Sequence, residues 1–98
     1  MLMNNAATTA TPARTILAQI GSNLLAISGG RYAVIDDTTV SLPAGRGYRV
    51  EVTYERALDL YTVRQVFVRG LTRKVRRSWD LVDAATLSEV AYRASLTD

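Results

Sequence analysis

Between Leu60 and Trp79 the chain carries six basic residues, Arg64, Arg69, Arg73, Lys74, Arg76 and Arg77, and no acidic one. Guanidinium groups at that density suit forked contacts to phosphate or carboxylate oxygens. Eleven of the twelve basic residues are arginine, so the chemistry leans toward such forks rather than the solvated point charge of lysine. The remainder of the chain holds the other six basic and all nine acidic residues, so a net charge of +3 conceals a basic middle on an acidic frame. Arg46, between Gly45 and Gly47, is a further candidate, presented by a loop that the glycines and Pro43 keep out of regular structure.

Other chemistry is poorly provided for. The chain has no cysteine and no histidine, which removes the thiolate, the commonest metal ligand and the side chain that exchanges protons most readily near neutral pH. A transition-metal site and a hydrolase triad are both disfavoured. Asp36, Asp37, Asp59, Tyr61 and Ser28 remain, but none stands at a spacing that demands catalysis. The adjacent Asp36-Asp37 lacks the further oxygens that a calcium loop supplies, and it reads as a turn cap. The expectation is a non-enzymatic protein with no cofactor.

The 98-residue length allows one domain, and no apolar run approaches the ~20 residues of a membrane-spanning helix. Residues 1–10 lack the charged and apolar regions of a secretory signal and read as a disordered leader, with Met3 an alternative start, ahead of a single domain over 11–98. The expected location is the cytoplasm.

The elements that must position the arginines follow from pattern. Thr11 as N-cap and Pro12 at the first helical position open a helix to Ile20, with Ala13, Ile16, Leu17 and Ile20 on one stripe and Gly21 to end it. Leu24–Ser28 is a short apolar run bounded by turn residues and predicts a buried strand. Arg31–Ile35 returns beside it across Gly29-Gly30, a glycine pair that could also cradle an anion beside Arg31. Thr39–Leu42 is a strand that Pro43 stops.

Tyr48–Glu55 alternates, with Val50, Val52 and Tyr54 on one face and Arg49, Glu51 and Thr53 on the other. Leu60–Val68 is apolar on both parities and predicts a central strand, either covered on both sides or carrying a bulge near Arg64-Gln65. Leu71–Ser78 is edge-like, with Thr72, Lys74, Arg76 and Ser78 on one face. A final helix, capped by Asp80 or Asp83, runs to about Ala94 with Leu87, Val90, Ala91 and Ala94 inward. The fold class is α+β: an N-terminal helix, an antiparallel sheet of about five to six short strands and a C-terminal helix, with the helices packed on the sheet.

Ile20-Gly21, Leu25 to Gly29, Val50-Glu51-Val52-Thr53, Leu58-Asp59-Leu60-Tyr61-Thr62-Val63, Arg69-Gly70 and Val82-Asp83-Ala84 with Leu87 together resemble a loose group of small phage and mobile-element proteins. The resemblance implies a viral or mobile-element setting inside bacteria and supplies no catalytic residues.

Two partners suit the basic strands. Nucleic acid is the first, with a two-stranded ribbon entering a major groove and Tyr61, Phe67 or Trp79 available for stacking. An acidic host protein is the second, since arginine and aromatic residues dominate protein interfaces. The same stripe also serves as a charged edge that resists pairing with another chain. A homodimer through a sheet edge at Leu24–Ile27 or Thr39–Leu42 is a further expectation.

Overall fold

The structure, a computed structural model, describes residues 11–96, and the leader expected at 1–10 lies outside them. Helices α1 (Pro12–Ile20) and α2 (Asn23–Ser28) lead into strands β1 (Ala33–Asp36), β2 (Thr39–Gly45), β3 (Tyr48–Glu55), β4 (Leu60–Arg69) and β5 (Thr72–Val82), and helix α3 (Leu87–Ala94) follows. The five strands form one antiparallel meander in chain order, so β1 and β5 are its edges. This is the expected α+β architecture. N-terminal helices, the antiparallel sheet and a C-terminal helix packed against it are all present.

One cluster holds the core: Ala13, Ile16 and Ile20 of α1, Ile27 of α2 and Leu87, Ala91 and Ala94 of α3 meet Val40, Leu42, Val50, Val52, Tyr61, Val63 and Val82 of the sheet. The register pairs Val40 with Val52, Leu42 with Val50 and Val52 with Val63, so these strand residues share one face. All three helices therefore cover that face. The other face presents Ser41, Arg49, Glu51, Thr53, Thr62, Arg64, Val66 and Arg73 by the same register.

Thr11 caps α1 as its type dictates, accepting from the Arg14 amide at 3.3 Å, and Gly21 with positive φ ends it. Leu24–Ser28 differs from its expected strand. A five-residue apolar run carries no period of its own, and leucine and alanine favour the helix that tertiary packing then selects. Ile27 and Ser28 turn inward, while the Asn23 side-chain amide donates to Ser88 Oγ at 2.9 Å and that hydroxyl donates to Ile20 O at 2.9 Å. Those two bonds fasten α1, α2 and α3 together. Gly29 thus closes a helix in the left-handed conformation, and the glycine pair is no hairpin turn.

Strand β2 passes through Pro43, where the sequence predicts a stop. Strand β1 pairs with β2 only from Thr39 to Ser41, so beyond that point one side of β2 has no described strand beside it. A residue with no N–H is tolerated there. Asp36 makes the expected turn: its Oδ1 accepts from the Thr38 amide at 2.9 Å and the Thr38 hydroxyl at 3.0 Å. These bonds, the amide's first, hold the Asp36 carboxyl below its ordinary value of 3.8. A lowered carboxylate value stabilises the fold above the unfolded value, and that stability is lost as pH falls through the folded one. Denaturant titrations between about pH 5 and pH 2 should therefore lose part of their acid dependence in Asp36→Asn, which keeps the cap without the titration.

Gln65 is a buried polar residue on the helix-covered face, and its Nε2 donates to Ala94 O and Leu96 O at 3.0 Å each. One side chain thus satisfies carbonyls at the end of α3 and ties that end to β4. Gln65→Leu should cost about 1–3 kcal/mol by leaving those carbonyls unmatched, read as a lower denaturation midpoint with an unchanged slope.

Neither expected acid caps α3: its N-cap is Thr86, which makes no side-chain cap bond, while Asp83 closes the turn before it, its Oδ1 accepting from the Thr86 amide at 2.9 Å, and Asp80 lies inside β5.

Candidate functional site

Two tight turns lie at the same end of the sheet. Gly45 pairs with Tyr48 across Arg46-Gly47, both with positive φ, the geometry of a type I′ hairpin. Arg69 pairs with Thr72 across Gly70-Leu71, and Gly70 supplies the positive φ that a II′ turn needs first. Tyr48 pairs with Phe67, Phe67 with Lys74, and the Val68 amide donates to Gly47 O at 2.8 Å, so the turns are neighbours. Arg46, Arg69, Arg73 and Lys74 are brought together there, with Arg31 and Arg49 beside them. The opposite end carries mostly acids: Asp36 and Asp37 in the β1–β2 turn, Glu55 and Asp59 around the β3–β4 turn, where Arg56 is the one base, and Asp83 after β5. The sheet is electrically polarised along its strands.

The remaining arginines of the stripe are distributed differently. Val75 pairs with Val66 and Arg77 with Gln65, which leaves Arg76 as the extra residue of a bulge in β5. The bulge resolves the question posed by β4, whose pairing to β3 runs unbroken from Leu60 to Phe67. Parity changes in β5, and β4 keeps its own. Consequently Thr72, Lys74, Arg76 and Ser78 do not form a single face: Lys74 shares the face of Phe67, and Ser78 shares that of Arg64. Arg77 lies over Trp79, with its guanidinium carbon 4.8 Å from the ring centroid, and both belong to the helix side.

On the uncovered face Arg73 forks onto Glu51, with Nε 3.3 Å from Oε2 and Nη2 on Oε1, and Arg64 pairs in register with the same Glu51. Glu51 therefore partly neutralises the middle of that face. Arg46, Arg69 and Lys74 are exposed and have no ion-pair partner among the described residues.

The three aromatics expected to stack are each packed on other side chains. Tyr61 is in the core, Phe67 meets Tyr48 edge to face at 5.1 Å, and Trp79 is packed against the core cluster. All three share the helix-covered side by register. The β4–β5 ribbon is also flanked by β3 as far as Phe67, so only its tip, Val68 to Arg73, is two strands wide. Of the two edges expected for a homodimer, Leu24–Ile27 is helical, and Thr39–Ser41 lies between β1 and β3, with Leu42 alone reaching past β1. The edge character of the basic strand holds, since β5 is exposed from Thr72 to Ser78.

Sequence reading passed over Arg49 and gave Arg31 only a minor part. Arg49 Nε donates to Ser41 Oγ at 2.6 Å, and Ser41 is almost fully buried. The signal available in the sequence was that Arg49 shares its parity with Glu51 and Thr53 on a polar face. Among the described residues no cluster of three His, Cys, Asp or Glu side chains could hold a metal ion, and no helix is long and apolar enough to cross a membrane. No protein-family model matches the chain, and comparisons with curated proteins and with solved structures likewise found no match.

Proposed function

We propose that this chain is a non-catalytic, phage-type accessory protein that binds nucleic acid through the basic end of its sheet. The observation that carries the reading is the convergence of Arg46, Arg69 and Lys74 at and beside two adjacent hairpin turns, with an excess of acids at the far end. A polyanion feels such a polarised sheet as a directional field, which orients approach as well as strengthening it. The narrow tip around Gly70-Leu71 can enter a groove about 12 Å wide, while the flanking arginines meet phosphates. Because Tyr61 and Trp79 pack in or against the core and Phe67 packs on Tyr48, the cations carry the binding, to phosphate and duplex shape rather than to unstacked bases. Fluorescence anisotropy tests this directly: a labelled duplex should bind at least as tightly as the matching single strand. A strong single-strand preference would overturn the duplex reading.

One observation favours a second reading. Leu71 is fully exposed at the hairpin tip and Val75 is exposed farther along the same strand, so apolar groups stand among arginines, as they do in protein hot spots. An acidic host protein would suit that surface. A partner retained after nuclease treatment and lost in Leu71→Ser would favour it over nucleic acid.

A further inference from the structure

At the basic end a cleft of about 260 Å³ opens between Arg31, Pro43, Gly47, Arg49 and Val68. It exists because β1 stops pairing at Ser41, so Arg31 leaves the sheet beside the stretch of β2 that contains Pro43. Its two cations are differently held. Ser41, buried beneath the cleft, accepts from Arg49 Nε at 2.6 Å, which leaves the two terminal nitrogens of the fork without a partner among the described residues. Arg31 has no side-chain hydrogen bond or ion pair among them. No acid lines the cleft, and Glu51, the nearest acid on that face in sequence, is engaged by Arg73. Two like charges facing one small cleft repel each other until an anion lies between them.

Gly47 keeps the cleft's wall close. Its φ is +84°, and a Cβ there would come within 3.1 Å of Phe67 and of Val68 O. The missing Cβ therefore lets the turn pack against β4 at the cleft's wall.

We infer that this cleft is a phosphate-binding subsite, in which the forks of Arg49 and Arg31 clamp one backbone phosphate of a nucleic acid and Ser41 acts as a positioning residue. This rests on the nucleic-acid reading above and adds to it a fixed anchor point. Forked guanidinium pairs read the oxygens of a phosphate better than lysine would, and the surrounding acid-free end selects a polyanion over an isolated carboxylate.

Inorganic phosphate and a labelled duplex test the subsite, each against wild type, Arg49→Gln, Arg49→Lys, Arg31→Gln and Ser41→Ala, with Arg14→Gln on α1 as control. Phosphate should give saturable NMR shifts at the Gly47 and Tyr48 amides, and Arg49→Gln should abolish them. Arg49→Gln should weaken duplex binding about eightfold at about 0.1 M salt and make the salt slope shallower by about 0.9, as loss of one phosphate contact requires. Arg49→Lys should recover only part of the affinity, Ser41→Ala should raise the dissociation constant without altering the salt slope, and Arg14→Gln should change neither. Arg31→Gln alters an exposed side chain and keeps the test independent of folding.

If the duplex binds Arg49→Gln and Arg31→Gln with the wild-type slope, the subsite is overturned and the nucleic-acid reading survives. If no duplex binds but phosphate still saturates the Gly47 shift, the nucleic-acid reading fails and the cleft stands as a phosphate site. Shifts spread over every exposed arginine without saturation would overturn the cleft outright, and so would equal saturation by a polyglutamate peptide.

Discussion

The triple variant Arg46→Gln, Arg69→Gln, Lys74→Gln should bind duplex DNA about 500-fold more weakly than wild type at about 0.1 M salt. Each phosphate contact contributes about 0.9 to the logarithmic salt slope, so three lost contacts remove about 2.7 decades at that concentration. These residues are chosen because they are exposed, lie at the two adjacent turns and have no ion-pair partner among the described residues. Arg73 is a poorer choice, since its fork already holds Glu51 and its removal would leave that carboxylate unpaired. Stability should barely move, because exposed substitutions away from caps and cores typically stay within about 0.5 kcal/mol. Anisotropy titration and a parallel thermal melt check both halves. A matched variant at Arg64, Arg76 and Arg77 should lose less, because Arg64 faces Glu51 and Arg77 is laid over Trp79.

The largest stability effect should come from Leu87→Ala. Leu87 opens α3 and is wholly buried within the cluster that joins three helices to the sheet. Truncating a buried leucine loses its transfer free energy and leaves a cavity, together about 2–5 kcal/mol. A small domain has only about 5–15 kcal/mol in all, so this one change can remove a third of the total or more. Helix α3 has eight residues and depends on tertiary packing, since a helix of that length is marginal alone. The variant should melt roughly 10–30 °C lower in circular dichroism, and a shift of a degree or two would mean that α3 contributes little to the core.

Much of the fold was legible because periodicity is strong where burial is one-sided. Val50, Val52 and Tyr54 alternate with Arg49, Glu51 and Thr53, and the sheet buries Val50 and Val52 and packs the half-buried Tyr54 against the core as that alternation requires. Thr11-Pro12 and the Ala13, Ile16, Ile20 spacing gave α1 with its cap. Short apolar runs were another matter. Leu24–Ser28 carries no period, and its helix is held at Asn23 through Ser88, a residue 65 positions away.

The site was half legible. The density of arginine marked β4 and β5, but which arginines meet was set by features invisible to pattern. The bulge at Arg76 moved Ser78 to the opposite face from Lys74, and the meander brought Arg46 to the β4–β5 turn. Arg49 was hidden because an arginine on a polar strand face looks ordinary until Ser41 is seen to hold it.

The salt dependence of duplex binding tests the central claim most directly. If about four cations at the basic end meet phosphates, the logarithm of the affinity should fall with the logarithm of salt at a slope of roughly −3.6, about 150-fold between about 50 and 200 mM. A dissociation constant that stays flat across that range would contradict it.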